Sequence, residues 1–482
     1  MKKLFRTMFC AALLALVVSI PAFAAEQEPP ARQGDFYVLV NGAYVTFPDA
    51  VPQIRDDRSC LPFVAVFGQL GFAEEDMAWD GATGTVTAKK GDLTVALTIG
   101  KNEIAITQGD ETRVVSTDTV PYVDPATDRT YVPFGLVAEA LGYNVGWDAS
   151  KGVVIIDDVD AILAANDAAY TLMDKYMDYC KTFSAKNQKI TGSYAMNMGM
   201  DMVTAQESAA FTFDVDGKYQ MLTAGSTAFQ FDTDMTLDLS MLENGAHVTG
   251  EVLGEDAALF PMALDLDMRG DMADGMFYFQ SAALAQLMEQ PDMANAWYKL
   301  DLKAMFDQMS GLLGMDYAAL MQLSTAAQDM SFTDCLPLML KNMPLVSAEY
   351  TTVDMLSELN ALMADSAFQK SGTTYVSTLE EDGARITFTL YTNGSKVNGY
   401  AMEVVAADPT FGEMKMDMSM RGSKMKMSMG MDIDVNTGAE SVAVTLSMDM
   451  DGAYQATSAK PQTAPPEGAV VLDLMQLFAP GL

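Results

Sequence analysis

The chain has 482 residues, half of them hydrophobic and a fifth charged, a globular profile long enough for two or three domains. Lys and Arg number 29 against 65 Asp and Glu, a formal charge of −36, so nucleic acid and anionic membrane surfaces, which both need clustered cations, are poor partners. The one histidine, His247, excludes metal sites that need two or three imidazoles, and the unusual count is 39 methionines beside 3 tryptophans.

Lys2, Lys3 and Arg6 precede an apolar run from Met8 to Ile20, then Pro21 and the small-x-small triplet Ala22-Phe23-Ala24. This pattern predicts a secretory signal peptide over residues 1–24, cleaved near Ala24, and a secreted or cell-envelope location. The run is short for a membrane span, and no later stretch is long and apolar enough for one. Cys10 lacks small residues before it and does not read as a lipid-attachment site. Loss of Lys2, Lys3 and Arg6 leaves 26 basic against 65 acidic residues, a charge near −39. The later cysteines, Cys60, Cys180 and Cys335, are odd in number and widely spaced, so no disulfide framework or C-x-x-C motif is expected.

After a linker over 25–34, residues 35–158 contain a duplication. The first copy reads Arg58-Ser-Cys-Leu-Pro62-Phe63, then Leu70-Gly71-Phe72 and Trp79-Asp80; the second reads Arg129-Thr-Tyr-Val-Pro133-Phe134, then Leu141-Gly142-Tyr143 and Trp147-Asp148. Each copy predicts a strand (Tyr37 to Val45; Glu103 to Thr107), a Val-Pro step, and a short helix with proline in its first turn and glycine at its C′ position. A Trp-Asp turn then leads into β structure (Thr85 to Lys89; Val153 to Ile156). The twice-repeated R-x-x-[LV]-P-F…L-G-[FY]…W-D signature resembles the copper amine oxidase N-terminal-like domain, a stalk module of exported proteins of Gram-positive bacteria. The resemblance implies a small α/β unit for adhesion or spacing at the envelope, with a cell-wall or surface component as partner. It does not imply copper amine oxidase catalysis, which needs three histidine ligands and a separate catalytic domain. Trp79 and Trp147, with Tyr44 and Tyr131, are candidate sugar-stacking residues; the favoured alternative makes both tryptophans core or turn residues.

Asp157, Asp158 and Asp160 suit the start of a linking helix over 159–185, with Ile162, Leu163, Ala169, Leu172, Met173, Tyr176 and Cys180 on one side. Residues 186–482 alternate apolar and polar: Met196, Met198, Met200 and Met202; Met235, Leu237, Leu239 and Met241; Met262, Leu264, Leu266 and Met268. Period two puts one face in the core and leaves the other wet. A helical insert is expected over about 281–365. It has one run opening at Ser281 and another at Asp301 with Leu302, Met305, Phe306, Met309, Leu312 and Leu313. A third opens at Thr352 with Val353, Leu356, Leu359 and Met363. The clearest hairpin joins Met414, Met416, Met418 and Met420 to Met425, Met427, Met429 and Met431 through Gly422-Ser423. A Gly-first turn of type II′ pairs Arg421 with Lys424, Met420 with Met425 and Met418 with Met427, so every methionine points one way. The strand from Val442 to Met450 joins the same face through the Asn436-Thr437-Gly438 turn.

The expected fold class is therefore α+β: a small duplicated stalk module, then a large curved antiparallel sheet with helices covering one face. A leading helix, a curved sheet and a helical insert resemble the bacterial lipoprotein-carrier fold of LolA and LprG type over 159–482, a likeness that by itself implies no function. Three roles compete for the methionines. They serve as flexible core filler, as an open face for a lipid or other apolar ligand, or as Met-x-Met rows for Cu(I). The candidate apolar-ligand face is Met196, Met198, Met200, Met414, Met416, Met418, Met425, Met427 and Met429. The i, i+2 pairs Asp214/Asp216, Asp265/Asp267 and Asp432/Asp434 read as a solvated outer face, not a Ca²⁺ loop. His247, beside the Asn244-Gly245 turn, reads as an exposed loop residue. No G-x-S-x-G, P-loop or H-E-x-x-H motif occurs. The sequence thus points to a non-enzymatic envelope binding or scaffold protein without a cofactor, with an apolar-ligand carrier as the alternative.

Overall fold

The computed structural model describes residues 29–474, apart from 185, 205–206, 226, 254–256, 259, 288–290, 309–315, 382, 409–411 and 437–439. The expected signal peptide with Cys10 and Ala24, the helix residues Met309, Leu312 and Leu313, and the Thr437-Gly438 turn lie outside the described residues.

The duplication forms one unit. Tyr37–Val40 pairs in parallel with Val153–Asp157, which brings the two ends of the module side by side. The strands Arg58–Pro62 and Arg129–Pro133 pair antiparallel, Leu61 opposite Val132, so the two copies meet at their signature strands. Pro62 and Pro133 end these strands and are the N-caps of helices Phe63–Gln69 and Phe134–Ala140, one position earlier than expected; a missing N–H is harmless there too. Gly71 and Gly142 stop the helices with φ of +81° and +82°. Phe67 and Phe134 meet edge to face at 5.7 Å, inside a core with Leu61, Val66, Val132 and Val137. The Trp-Asp turns are duplicated to the hydrogen bond. The Gly84 N–H donates to the Asp80 carbonyl at 2.8 Å, and the Gly152 N–H donates to the Asp148 carbonyl at 2.8 Å.

The expected single linking helix is two helices, α1 (Val159–Ala164) and α2 (Thr171–Ser184). Asp158 caps α1 by accepting from the Ala161 N–H. The break falls at Asn166, whose side chain donates to the Tyr170 hydroxyl and accepts from Asn360, so tertiary partners outbid helix continuation.

The large sheet contains twelve principal strands: β1 (Gln188–Thr204), β2 (Ser208–Ala224), β3 (Ala228–Glu243), β4 (Met262–Asp271), β5 (Met276–Gln280), β6 (Trp297–Asp301), β7 (Thr374–Glu381), β8 (Ala384–Asn393), β9 (Lys396–Asp408), β10 (Gly412–Arg421), β11 (Lys424–Asn436) and β12 (Glu440–Ala456). Their spatial order is β7-β8-β9-β10-β11-β12-β1-β2-β3-β4-β5-β6. Two six-strand meanders thus join head to tail where β12 pairs with β1, Met448 opposite Met196 and Leu446 opposite Met198. Each meander follows a helix: α2 leads β1, and α4 (Thr352–Met363) leads β7. Between the meanders, α3 (Phe332–Lys341) and other helical segments form the insert, although Trp297–Asp301 is a strand. Thr351 and Asp354 close a capping box on α4. The methionine hairpin has the expected register, Arg421 opposite Lys424, Met420 opposite Met425 and Met418 opposite Met427, and Gly422 takes the positive φ (+56°) its turn requires. Helices α2, α3 and α4 cover one face through Met173, Tyr176, Leu336, Leu340, Leu356 and Leu359, against Ile190, Tyr219, Phe388, Tyr400, Met418, Met420 and Met425. His247 lies in a two-residue strand paired with β3, not in a loop, and is exposed.

The first unit docks on the insert. Leu345 packs against Leu39, Val153 and Ile155. The Asn144 side-chain amide donates to the Met343 carbonyl at 2.8 Å, and the Ala348 N–H donates to the Asp148 carboxylate at 2.9 Å. Asp157, at the end of its strand, is fully buried and accepts from the Thr352 hydroxyl, while its other oxygen has no partner. Burial pushes this carboxyl up, against the opposing pull of the Thr352 hydroxyl.

Candidate binding surfaces

Strand parity and register place the candidate methionines on one face. Met416, Met429, Met448 and Met196 form one row across β10, β11, β12 and β1, and Met418, Met427, Met450 and Tyr194 form the next. The helical cover ends between these rows. Met418 and Met425 are buried in the core, with Met416, Met427, Met450 and Tyr194 packed at its margin. Tyr194 lies over Gly217 and Tyr219 over Gly452 and Gly192; a Cβ at Gly217 would stand 2.4 Å from the Tyr194 ring, so these glycines admit the aromatic plates at the boundary.

Beyond the boundary the apolar face continues. Met431, Leu446, Met198, Phe213 and Leu239 form one row, and Ile433, Val444, Met200, Phe211 and Met241 form the next. None of these ten belongs to the helix-covered core. Exposure rises towards the strand ends, with Met200 at 38%, Met202 at 44% and Met414 at 42%. The candidate face is therefore divided: Met418 and Met425 are core, Met416 and Met427 marginal, and Met196, Met198, Met200, Met414 and Met429 stand outside it.

The opposite face carries a groove of about 830 Å³ across β10, β11, β12, β1, β2 and β3. Asp216, Asp234, Asp417, Asp449 and Asp451 line it with Lys218 and Lys426, a net negative set. Asp451 is held by the Ser193 N–H and hydroxyl, both at 3.0 Å. Asp214 and Asp267, from the pairs assigned to the outer face, accept from Asn197 and Arg269. No group of three His, Cys, Asp or Glu side chains suited to a metal occurs among the described residues. The Pro-rich segment 457–470 crosses this polar face. It is anchored by Arg269, which donates to Gln462, pairs with Asp267 and stacks 4.6 Å over Trp297. It ends in Val471–Asp473, paired with β6.

In the first unit, Trp79 and Trp147 are exposed by 53% and 47%. Of the expected alternatives, core or turn, exposure rules out the core, and both rings stand next to the Asp80 and Asp148 turns. Trp147 leans edge-on against Phe36 at 6.2 Å. Tyr131 is fully buried and stacks on Tyr122 at 5.3 Å, which removes it from any sugar platform, whereas Tyr44 is half-buried beside Tyr37. Cys60, Cys180 and Cys335 are buried and joined by no disulfide among the described residues, and burial pushes the Cys60 thiol up to about 11.

The duplicated signature, its paired strands and its repeated turns decide the identity of the first unit. Residues 39–156 match the copper amine oxidase N-terminal domain. That domain is a non-catalytic module in copper amine oxidases. No curated protein matches the chain. Among solved structures, Pseudomonas aeruginosa OccK5 (OpdH) is similar at 4% identity, over 57% of this chain and 99% of its own, with a TM-score of 0.13. Pseudomonas putida OprB at low pH is similar at 5% identity, over 58% and 97%, with a TM-score of 0.10. No helix among the described residues is long and apolar enough to cross a membrane, which says nothing of strands.

Two features escaped the sequence reading. The docking segment 342–351 carried no signal of its own. The end of the helical cover was invisible because Met-x-Met alternation is identical on both sides of it.

Proposed function

We propose that the chain is an exported cell-envelope binding or scaffold protein without catalytic activity, in which the copper amine oxidase N-terminal-like unit is the stalk and the methionine-rich sheet domain is the part displayed. The observation that carries the reading is the match over residues 39–156 to a non-catalytic domain. It is supported by the signal-peptide pattern of residues 1–24 and by a lone, exposed histidine unable to serve in a two-imidazole site. The exposed Trp79 and Trp147 rings are the proposed contacts to a wall glycan, since indole faces stack on apolar sugar faces. The test is co-sedimentation of the full chain with purified peptidoglycan. Wild type is expected in the pellet, and the Trp79→Ala/Trp147→Ala double variant in the supernatant. A wild-type chain that stays in solution with every wall polymer tried would reject the stalk role.

A second reading, carriage of a lipid or other apolar ligand, rests on the outer rows of the apolar sheet face. Native mass spectrometry of the chain purified without detergent reads it directly: an adduct of lipid mass favours the carrier.

A further inference from the structure

We infer that a second copy of this chain covers the outer part of the apolar sheet face, the two plates stacking face to face as a sandwich. The inference is independent of wall binding and goes beyond it. The row of Met429, Met448, Met196, Val215 and Leu237, which lies outside the helix-covered core, and the two rows beyond it make three rows on five strands; with strands repeating at about 4.8 Å and same-face residues at about 6.8 Å they span about 24 by 20 Å, on the order of 500 Å². That is in the upper part of the about 300 to about 600 Å² covered by the largest apolar patch of a typical monomer, a size that often marks an interaction site. Two such plates bury on the order of 1,000 Å² together, the lower bound for a specific interface.

The shape suits another sheet better than a small ligand. The rows lie on extended strands outside the helix-covered core of the described residues, whereas a small molecule needs a concavity that encloses most of its surface. Sheet faces of this kind pack about 10 Å apart with interdigitated side chains, and flexible thioethers adapt to such a partner. Charge argues in the same direction. The carboxylates of these strands, such as Asp216 and Asp449, project from the opposite face and stay in water when the plates stack. The formal charge of −36 disfavours an anionic bilayer as the cover. It also makes the two copies repel, so the dimer must tighten as salt screens them.

The test is sedimentation equilibrium on the full chain, purified without detergent, at low and high salt. A monomer–dimer equilibrium is expected whose dissociation constant falls about tenfold between roughly 0.02 and 0.5 M salt. Met198→Lys, on the plate, is expected to abolish the dimer. Asn197→Lys, adjacent but on the polar face, is expected to keep it. A circular dichroism melt shows whether each variant folds, and if Met198→Lys does not, Met200→Gln at the exposed margin, expected to weaken the dimer, replaces it. A wild-type monomer at all salts overturns the inference. So does a dimer that Met198→Lys leaves intact, or a monomer carrying a lipid adduct in native mass spectra. Loss of wall binding alone does not touch it.

Discussion

Gly146→Ala is the substitution that reads the docking of the stalk on the sheet domain. A Cβ at Gly146 would stand 1.9 Å from the Leu345 carbonyl oxygen, 2.4 Å from the Leu345 Cβ and 2.7 Å from its carbonyl carbon. Two of these three atoms are backbone, so no rotamer change relieves the clash and the segment around Leu345 must retreat by about 1 Å or more. Retreat breaks the Asn144 bond to Met343 and the Ala348 bond to Asp148, worth about 1 and about 2 kcal/mol. It also loosens Leu345, now 7% exposed, whose full burial is worth about 2 kcal/mol. Partial relaxation leaves an expected loss of about 2 to about 5 kcal/mol in coupling between the units. The duplication supplies an internal control. Copy one has Ala78 where copy two has Gly146, and Ala78 is exposed, with no docking segment over it. Calorimetry is expected to show coupled unfolding in the wild type and two separated transitions in Gly146→Ala, with new protease cleavage within 342–351. A variant that melts within about 1 °C of wild type with an unchanged digestion pattern would refute the docking geometry.

Three further outcomes follow from the same physics. Asp157 is buried with one oxygen unpartnered and its carboxyl pushed up by desolvation. A raised folded value means stability is fully present below the unfolded value of about 3.9 and is lost as pH rises through the folded value. Asp157→Asn is therefore expected to stabilise the chain at neutral pH by on the order of 1 kcal/mol, with the gain vanishing in melts near pH 3. Met418→Ala, under the helices, is expected to cost about 2 to about 5 kcal/mol, and Met198→Ala, on the open plate, less than about 1 kcal/mol for the monomer; equal costs in urea titrations would place the boundary of the cover wrongly. The buried Cys60 thiol, pushed up to about 11, is expected to resist a thiol reagent at pH 8 until the fold opens, so labelling as fast as in denaturant would contradict its burial.

The methionine hairpin was legible because its information is local. A two-residue turn with glycine first fixes the register, and period two then fixes the face of every residue from Met414 to Met431. The stalk was legible because duplication repeats each signal, from the strand-ending prolines to Gly71 and Gly142. The failures share a cause. Asn166 leaves the helix for Tyr170 and Asn360, nearly two hundred residues on in the second case. Asp157 reads as a helix-dipole acid, yet its partner is Thr352. Trp79 and Trp147 sit in identical Trp-Asp contexts, which say nothing of what faces the ring. For Asn166 and Asp157 the deciding neighbour comes from a distant segment, and for the tryptophans it is exposure to solvent; hydropathy patterning carries no term for either.

The head-to-tail joint between the two meanders connects architecture to function. The row Met416, Met429, Met448 and Met196 crosses it, with Met448 on β12 facing Met196 on β1. Neither meander alone contains the whole plate. It appears only when a strand that follows α2 finds the last long strand of the chain, a contact between residues some 250 apart in sequence. Such a pairing closes late, because loop entropy is spent before the contact is gained. Until then β1 and β12 are long, apolar, unpaired edges, the kind of surface that recruits strands from other chains. The carboxylates and lysines on their polar face, and a strong net charge of one sign, oppose that edge pairing while leaving the apolar face free for a partner that arrives flat. The same residues therefore separate two modes of association. Edge-on contact brings like charges together strand against strand, whereas face-on contact keeps polar-face carboxylates such as Asp216 and Asp449 in water.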